Sequence, residues 1–329
     1  MRFGLTILPE HRWADAAPLW RRAVELGFDH AWTYDHLVWG GLPDAPWFGT
    51  VPTLTAAATV TSTIRLGTFV TSPNYRHPVT FMRDLLALDD ISGGRFSCGI
   101  GAGGDIDNAI LGGPPLTPTQ RFERLAEFTE LLDRLLTQDH VSHRGTHFSA
   151  VDARTRPGPV QQPRIPFIMA ANGPRSLRLA VEYGAGWVTT GPRAETLDQW
   201  WAALARLSGR LDETLAAAGR DADTLERHLN LDSSPRFALE SVALFEEMAG
   251  RAGDLGFTDV ITHWPRPDGP YAGDVRVLES VARQVMPRFR YTSGPRGERK
   301  LAAGTRVAGT MMCRGCCRAQ EGSRTPSTM

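Results

Sequence analysis

Short apolar runs alternate eight times with longer amphipathic segments along most of this chain. The runs are typical of buried strands and lie at 2–8, 30–35, 65–72, 95–101, 165–171, 186–190, 227–232 and 259–264. The segments between them are typical of helices and lie at 13–27, 50–62, 77–92, 117–138, 174–184, 195–219, 238–255 and 274–287. This alternation predicts parallel βαβ units, and eight units favour an α/β fold closed into a (β/α)8 TIM barrel over an open sheet.

Residues at the ends of several segments support these helix boundaries. Thr117 is placed to cap a helix, with Gln120 three residues later, a pair typical of a capping box. Gly27, Gly184 and Gly256 each follow a predicted helix and precede a predicted strand. Because glycine adopts left-handed backbone angles without a steric penalty, we expect all three to form left-handed C-caps.

Two stretches interrupt the alternation and are predicted to be insertions. Residues 36–49 follow the second strand and are rich in Trp, Gly and Pro, and residues 140–164 follow the fourth helix. Long loops in a compact domain are often functional lids. We expect the second insertion, which has strand-like ends, to cover the barrel.

The end of the chain differs in composition from the rest. Between residues 294 and 329 there are seven Lys or Arg against two Glu, and no apolar period is visible. We therefore predict one domain over 1–290 and a basic, disordered tail over 291–329. Cys313, Cys316 and Cys317 cluster in this tail, but no histidine nearby completes a tetrahedral site, so no metal is predicted.

The charge composition excludes several functions. The 36 basic and 36 acidic residues cancel, so no electrostatic argument favours nucleic acid or an anionic membrane as a partner. The only lysine is Lys300, which excludes Schiff-base catalysis and a Walker-type phosphate loop from residues 1–299. The sequence shows no signal-peptide pattern and no apolar run of membrane-spanning length, so we expect a cytoplasmic protein.

Reactive groups in a (β/α)8 barrel come from the carboxyl ends of its strands. Asp35 and His36 end the second predicted strand, and His263 ends the eighth. Histidine exchanges protons near neutral pH, and a carboxylate close by can tune it. We predict that His36 is catalytic, that Asp35 tunes the site and that His263 is a second candidate for proton transfer. The alternative is a histidine that is merely hydrogen-bonded within its loop.

Two loops at strand ends have features of a ligand site. The segment 99–104 is glycine-rich but is a poor Rossmann fingerprint, and its glycines favour close approach of the backbone to a flat ring system. The loop Asn172–Ser176 combines helix-start amides, a serine hydroxyl and an arginine, which are suited to hold a phosphate. An ordinary barrel loop with Pro174 at the first helical position fits the second pattern equally well.

Three tryptophans are predicted to bind substrate. Trp39 and Trp47 lie in the first insertion, where exposed aromatic rings are costly unless they cover a ligand. Trp264 lies at the end of the eighth predicted strand, a position typical of core or pocket wall. We therefore assign all three to the wall of a substrate pocket.

Several stretches resemble the luciferase-like flavin oxidoreductases, and within them the branch that uses coenzyme F420. The resemblance covers roughly residues 1–290 and is strongest over 25–135. The stretches that carry it are 27–37 (GFDHAWTYDHL), 65–71 (RLGTFVT), 76–78 (RHP), 88–96 (LDDISGGRF), 99–103 (GIGAG), 172–173 (NG) and 184–188 (GAGWV).

This resemblance implies a bacterial-luciferase-like barrel with a flavin ring lying across its C-terminal mouth. Members often contain a non-prolyl cis peptide in strand 3, which by position would be Phe69–Val70 here, and the cofactor phosphate would lie by Asn172 to Ser176. Members are commonly dimers, so a homodimer is expected. The cofactor-binding residues implied are Asp35, Phe69, Val70, Thr71, Ser72, Gly101, Ala102, Gly103, Asn172, Gly173, Pro174, Arg175 and Ser176.

The sequence departs from those members that oxidise sugar phosphates. They have a glutamate soon after the strand 4 glycines, where this chain has Gly104. They also use lysines for the substrate phosphate, and this barrel has none. We therefore expect a less charged, bulkier organic substrate.

Together these features predict an enzyme that transfers a hydride between coenzyme F420 and a small organic substrate, by alcohol oxidation or by reduction of an activated double bond. The alternative cofactor is FMN, in an oxygen-dependent monooxygenase where His36 would stabilise a peroxyflavin. The pair Asp35-His36 favours the deazaflavin, because the oxygen-using members more often resemble Glu-His there. A non-catalytic flavin-binding accessory protein is the alternative from another class. A metal hydrolase is disfavoured because no His-x-His pair ends strand 1.

Overall fold

The structure is a computed structural model that describes residues 1–291 of the chain. The predicted tail over 291–329 lies outside these residues except for Tyr291, which ends the last helix. The strands are β1 (Arg2–Thr6), β2 (His30–Thr33), β3 (Arg65–Thr68), β4 (Phe96–Ile100), β5 (Val141–Arg144), β6 (Ser149–Ala153), β7 (Phe167–Ala170), β8 (Gly186–Thr189), β9 (Glu226–Asn230) and β10 (Asp259–His263). The helices are α1 (Trp13–Glu25), α2 (Thr50–Val60), α3 (Pro78–Ser92), α4 (Ile106–Ile110), α5 (Pro118–Thr137), α6 (Pro174–Tyr183), α7 (Leu197–Ala217), α8 (Val242–Asp254), α9 (Val275–Gln284) and α10 (Met286–Tyr291).

Eight parallel strands close into a barrel in the order β1, β2, β3, β4, β7, β8, β9 and β10. Closure is made by β1, in which Leu5 pairs with Ala31 of β2 and with Thr262 of β10. The predicted (β/α)8 barrel is confirmed, and each predicted barrel strand is present with bounds that differ by a few residues. The predicted last helix is two helices, α9 and α10, which meet at Val285.

Helix α5 shows how the core forms between the strands and the surrounding helices. Phe128, Leu132 and Leu135 recur at intervals of three or four residues and are fully buried. Removing each of these side chains from water contributes about 2 kcal/mol before entropy is counted. At the start of the helix, Thr117 and Gln120 form the predicted capping box.

Two of the three predicted glycine C-caps are confirmed and one is wrong. Gly27 and Gly256 have φ of 79° and 84°, in the left-handed region. Gly184 has φ of −77° and ψ of 135°, an extended conformation open to any residue. It is close approach that requires a glycine there, because an added Cβ would lie 2.6 Å from the carbonyl oxygen of Ala180 and 2.8 Å from that of Gly186.

Strand β3 is shorter than the sequence predicts. It ends at Thr68, and the ladder resumes only as a single bridge between Thr71 and Ile100. Between these two points the Phe69–Val70 peptide bond is cis, as the family resemblance implies. The chain therefore bulges at the carboxyl end of β3.

The second predicted insertion forms the hairpin β5–β6 and packs on α5 instead of covering the barrel. The carboxylate of Glu127, on α5, accepts hydrogen bonds from the backbone amides of His147 and Phe148 at 2.9 and 2.8 Å. The ring of Phe148 is buried edge-on against Phe128. The hairpin thus buries Phe148 on a barrel helix, and none of residues 140–164 lines the cavity at the carboxyl ends of the barrel strands.

A buried charged cluster closes the amino-terminal end of the barrel. Asp259 accepts hydrogen bonds from Nε and Nη2 of Arg2, both at 2.8 Å, and lies 3.0 Å from Nε2 of His30. Burial raises the pKa of the Asp259 carboxyl, but His228, His30 and Arg2 outweigh it and hold that pKa well below its ordinary value. Burial also raises the pKa of the Glu226 carboxyl, but His228 and Arg2 outweigh it and lower that pKa to about 2.

This cluster has the residue types of a metal site, but one of its two histidines offers no free ligand atom. The indole Nε1 of Trp32 donates a hydrogen bond to Nδ1 of His30 at 2.5 Å, so a neutral His30 carries its proton on Nε2, toward Asp259. Nε2 then has no lone pair for a metal ion. The guanidinium of Arg2 supplies the positive charge beside Asp259 instead.

No helix within residues 1–291 is both long enough and apolar enough to span a membrane. The longest of them, α7, belongs to the layer of helices around the barrel and buries Trp200, Trp201 and Leu204 against the core.

Candidate active site

A cavity of about 990 Å³ opens at the carboxyl ends of the barrel strands. Residues that end or follow β2, β3, β4, β7, β8, β9 and β10 line it, together with the first turns of α5. This is the end of the barrel at which enzymes of this architecture place their reactive groups. We therefore take it as the candidate active site.

His36 is held at this cavity by a buried carboxylate. Its Nδ1 lies 2.7 Å from Oδ2 of Asp107, which belongs to α4 and whose side chain is fully buried. The other carboxylate oxygen of Asp107 accepts a hydrogen bond from the backbone amide of Leu37, also at 2.7 Å. Within residues 1–291, no hydrogen bond is made to Nε2 of His36, and the side chain lines the cavity. With Nδ1 bonded to Asp107, Nε2 is the atom free to exchange a proton with a bound molecule.

Asp35 is bonded to residues other than His36. Its carboxylate accepts hydrogen bonds from Oγ1 of Thr71 and Nη2 of Arg76, both at 2.7 Å, and from the hydroxyl of Tyr75. Burial raises the pKa of the Asp35 carboxyl, but Arg76 and the two hydroxyl groups outweigh it, so the pKa lies below its ordinary value. Asp35 therefore links the end of β2 to the segment after β3, and it is buried outside the cavity lining.

An apolar wall is formed where the bulge after β3 meets the ends of β4 and β7. Phe69, Val70 and Ala170 all line the cavity. An added Cβ on Gly101 would lie 2.7 Å from Cγ2 of Val70 and 3.1 Å from Cβ of Ala170. Gly103 has φ of 64°, a conformation that other residues rarely adopt. Because neither glycine has a side chain, a planar ring can lie close to the backbone at this wall.

The charged groups of the cavity lining are positive. Arg121, Arg175 and Arg193 line the cavity, and none of the Asp or Glu residues within 1–291 does. Arg121 is paired with Asp105 outside the lining, at 2.7 Å. The loop 172–176, which contains Arg175 and leads into α6, lines the cavity. This donor set fits a phosphate-bearing ligand, because guanidinium groups and a helix start both favour anions.

A chain of four hydrogen-bonded side chains ends at the cavity. Oδ2 of Asp232 lies 2.8 Å from Nδ1 of His263, whose Nε2 lies 2.8 Å from the hydroxyl of Tyr34. That hydroxyl lies 3.0 Å from the hydroxyl of Tyr271. The side chains of Asp232 and His263 are fully buried, whereas Tyr34 and Tyr271 line the cavity. Burial raises the pKa of both phenols, that of Tyr271 to about 12, so both are neutral at physiological pH.

The three predicted substrate-binding tryptophans lie in different places. Trp39 lines the cavity and stacks on Tyr271, with ring centroids 5.7 Å apart and ring planes within 8°. Trp47 lies outside the lining and donates a hydrogen bond from Nε1 to the carbonyl oxygen of His36 at 2.9 Å. Trp264 also lies outside the lining and packs against the main core.

The sequence matches the family model described as luciferase-like monooxygenase over residues 1–260. The chain belongs to the luciferase-like monooxygenase family. The resemblance inferred from the motifs is thereby confirmed, and the protein is an oxidoreductase or monooxygenase.

Individual relatives of this luciferase-like protein use coenzyme F420. The F420-dependent glucose-6-phosphate dehydrogenase of Beutenbergia cavernae is 28% identical over 318 residues, which cover 82% of this chain and 91% of that relative. The F420-dependent tetrahydromethanopterin reductase of Methanopyrus kandleri superposes with a TM-score of 0.72 at 21% identity, covering 88% of this chain and 99% of that one. An F420-dependent secondary alcohol dehydrogenase, solved with an F420-acetone adduct, also has a TM-score of 0.72, at 17% identity, with coverage of 87% and 98%. At these identities the two structural likenesses show the fold alone.

The predicted site residues of this luciferase-like protein fall into three groups. Those in the cavity lining are His36, Trp39, Phe69, Val70, Ala102, Gly103, Asn172, Gly173, Pro174, Arg175 and Ser176. Those buried outside the lining are Asp35, Thr71, Ser72, Gly101 and His263. Trp47 and Trp264, placed above, are the third group.

Sequence reasoning missed four residues that the structure brings to the site. Asp107 follows the strand 4 glycines in the segment Asp105-Ile106-Asp107, a signal that could have been weighed as an acid near the mouth. Tyr34 directly precedes the noted Asp35-His36 pair, and Asp232 was recognised only as a strand end. Tyr271 lies in a loop with no pattern that marks it.

Proposed function

We propose that this protein binds coenzyme F420 at the carboxyl-terminal mouth of its barrel and transfers a hydride between it and a small organic substrate. The observation that carries the proposal is one cavity that combines an arginine-rich, carboxylate-free lining, a low apolar wall and a histidine held by a buried aspartate. The F420 dependence of the Beutenbergia cavernae relative supports the choice of cofactor.

The residues present fit such a cofactor. The loop 172–176, which includes Arg175, would hold its phosphate. Val70 and Ala170 would lie against its ring. When bound, a deazaflavin accepts or donates two electrons as a hydride. The chain itself orients the bound molecules, excludes water and moves protons.

His36 is the residue that we assign to proton exchange with the bound molecules. The bond from Nδ1 to Asp107 fixes the orientation of the imidazole and leaves Nε2 free for the bound molecules. We propose an uncharged substrate, because the lining has no lysine and Arg175 lies in the loop assigned to the cofactor.

A matched pair of variants on α6 tests where the cofactor binds. Arg175→Ala removes a guanidinium from the cavity lining, whereas Arg178→Ala removes one from the same helix outside that lining. We expect Arg175→Ala to raise the Kd for F420 by about 10-fold or more, because a charge-assisted hydrogen bond contributes about 1.5–3 kcal/mol. Equal affinities of the two variants, measured by fluorescence titration, would remove the loop from the proposed site.

An FMN-dependent monooxygenase is the competing function within the same family. The same loop accepts the phosphate of either cofactor, so the lining does not discriminate between them. Tight binding of FMN with none of F420 would establish that alternative in place of our proposal.

A further inference from the structure

We propose that Tyr271 is a catalytic residue that takes the hydroxyl proton of an alcohol substrate and passes it, through Tyr34, to His263, which leaves His36 to exchange a proton with the cofactor. This inference rests on the proposed function and names its substrate class as alcohols and the corresponding carbonyl compounds. It is carried by the geometry of the four hydrogen-bonded side chains that end at the cavity.

The direction of these hydrogen bonds follows from the buried inner end of the chain, which is Asp232. Oδ2 of Asp232 accepts from the backbone amide of His263 at 2.6 Å and from Oγ1 of Thr262 at 2.9 Å, and Oδ1 accepts from the backbone amide of Ala238 at 3.0 Å. Both carboxylate oxygens thus act as acceptors, and Nδ1 of His263 must carry the proton between them. In the neutral ring, Nε2 of His263 is then an acceptor.

The outer end follows from the count of hydroxyl protons. Because Nε2 of His263 is an acceptor, the single proton of Tyr34 points to it, and the oxygen of Tyr34 accepts the proton of Tyr271. The oxygen of Tyr271 therefore keeps its lone pairs for the cavity. A substrate hydroxyl placed there meets an acceptor whose own proton has a path inward.

The inner end has a group that can accept the proton that arrives. Asp232 forms no ion pair with an arginine within residues 1–291, and the basic side chain beside it there is His263. A proton that reaches Nε2 of His263 enters a ring whose Nδ1 is hydrogen-bonded to the buried carboxylate of Asp232.

Tyr271 has a backbone conformation that residues other than glycine rarely adopt. Its φ is 64°, in the left-handed region that costs a non-glycine residue roughly 1–2 kcal/mol. The loop is braced by Arg266, which pairs with both carboxylate oxygens of Glu10 at 2.8 and 2.9 Å and whose backbone amide donates to the carbonyl of Tyr271 at 2.9 Å. The ring is stacked on His263 at 3.7 Å between centroids, with Trp39 stacked on the tyrosine as well. These contacts hold the side chain of Tyr271, and therefore its hydroxyl, in one orientation at the cavity.

The reaction balances with one oxidant, the oxidised deazaflavin of the proposed function. The C–H bond of the carbinol breaks, and both of its electrons leave with the hydride to that oxidant. The O–H proton moves to the oxygen of Tyr271 as the proton of Tyr271 moves to Tyr34 and that of Tyr34 to Nε2 of His263. The substrate is left with a C=O bond, and ketone reduction is the reverse. No phenolate needs to accumulate, which agrees with the raised pKa of both phenols.

The hydrogen-bond network can be tested first without any cofactor. In the apo protein, nitrogen NMR of labelled histidine should show His263 as the tautomer protonated on Nδ1, with a resonance that shifts in Tyr34→Phe and Tyr271→Phe. Tyr183→Phe, at the end of α6 and outside the cavity lining, is the matched control and should leave it unchanged. A proton on Nε2 of neutral His263 would overturn the relay.

The catalytic role is tested by turnover with isopropanol and cyclohexanol as probes and F420 as the oxidant. Tyr271→Phe keeps both stacked rings and removes only the oxygen, so the Kd for F420 should stay within a few-fold while kcat falls by about 100-fold, the usual range for a lost acid–base group. The Tyr183→Phe control should turn over like the wild type. A kcat for Tyr271→Phe within two-fold of the wild type overturns the inference.

The outcomes also separate this inference from the proposed function. If the wild type does not bind F420, the proposed function fails, whatever the NMR shows of the relay. If it binds F420 but oxidises neither alcohol and reduces neither ketone, the proposed substrate class is wrong while the cofactor assignment stands.

Discussion

Nδ1 of His36 lies 2.7 Å from Oδ2 of Asp107, although 71 positions separate the two residues in the chain. Asp107 is fully buried and its second oxygen is fixed by the backbone amide of Leu37. The carboxylate is therefore rigid, and it sets which nitrogen of His36 faces the cavity. The first prediction follows from this pair.

Asp107→Asn should lower turnover by about 10–100-fold or more, because an amide can present its NH2 to Nδ1 and reverse the tautomer of His36. The measurement is kcat under saturating F420 and substrate, with the Kd for F420 recorded alongside. Asp90→Asn, an exposed aspartate of α3, is the control and should behave as the wild type. Full activity of Asp107→Asn would show that the pair does not orient a catalytic histidine.

Gly101→Ala should destabilise the protein and weaken cofactor binding. The added Cβ would lie 2.7 Å from Cγ2 of Val70, so the apolar wall must shift, at a cost of about 1–3 kcal/mol. Gly104→Ala is the comparison, since no heavy atom lies within 4 Å of its added Cβ, and its stability should stay close to the wild type. Chemical unfolding and F420 titration check both variants, and equal stability of the two would contradict the packing described at this wall.

Arg76→Leu should destabilise the protein by about 3–5 kcal/mol at neutral pH, because it leaves the buried carboxylate of Asp35 without its cation. In the wild type, Asp35 has a lowered pKa, so its contribution is present above the ordinary value of 3.8 and is lost as the pH falls below it. The difference between variant and wild type should therefore shrink in acid.

Urea unfolding at neutral pH and near pH 3 measures this difference. Arg276→Leu removes the exposed partner of Asp274 and should leave stability nearly unchanged at both pH values. A loss of stability in Arg76→Leu that grows in acid would have the wrong sign for this account.

Glu226→Gln tests the charged cluster at the other end of the barrel. The Glu226 carboxyl has an ordinary pKa of 4.5 and a folded pKa of about 2, so it stabilises the fold above pH 4.5 and loses that effect as the pH falls toward 2. The variant should be less stable than the wild type at pH 7 by roughly 2–3 kcal/mol, with a gap that closes in acid.

Unfolding curves from pH 7 down to pH 3 check this sign. Glu123→Gln, on the exposed face of α5, serves as the control with no expected pH-dependent gap. A constant gap between Glu226→Gln and the wild type would show that the carboxyl is not perturbed by folding.

The barrel could be predicted from the sequence because its signals are local. Apolar runs of strand length, helix caps such as Thr117 with Gln120, and glycines such as Gly27 depend on residues a few positions apart. Gly184 was misjudged because the requirement there comes from close approach of the Ala180 and Gly186 carbonyls, and not from its backbone angle.

The partners within the site could not be predicted in the same way. His36 was found because it ends a strand, but its pairing with Asp107 depends on where the short helix α4 packs after the barrel closes. Tyr34 meets His263 across 229 positions, and Tyr271 reaches the cavity through a loop with no repeating pattern. The cis bond at Phe69 was expected only by resemblance to the family, since no local pattern marks it.

The central claim is that the cavity binds coenzyme F420, and a fluorescence titration of the purified protein with F420 and with FMN tests it most directly. We expect saturable, tight binding of F420 and much weaker binding of FMN. Tight binding of FMN alone, or binding of neither cofactor, would contradict the account.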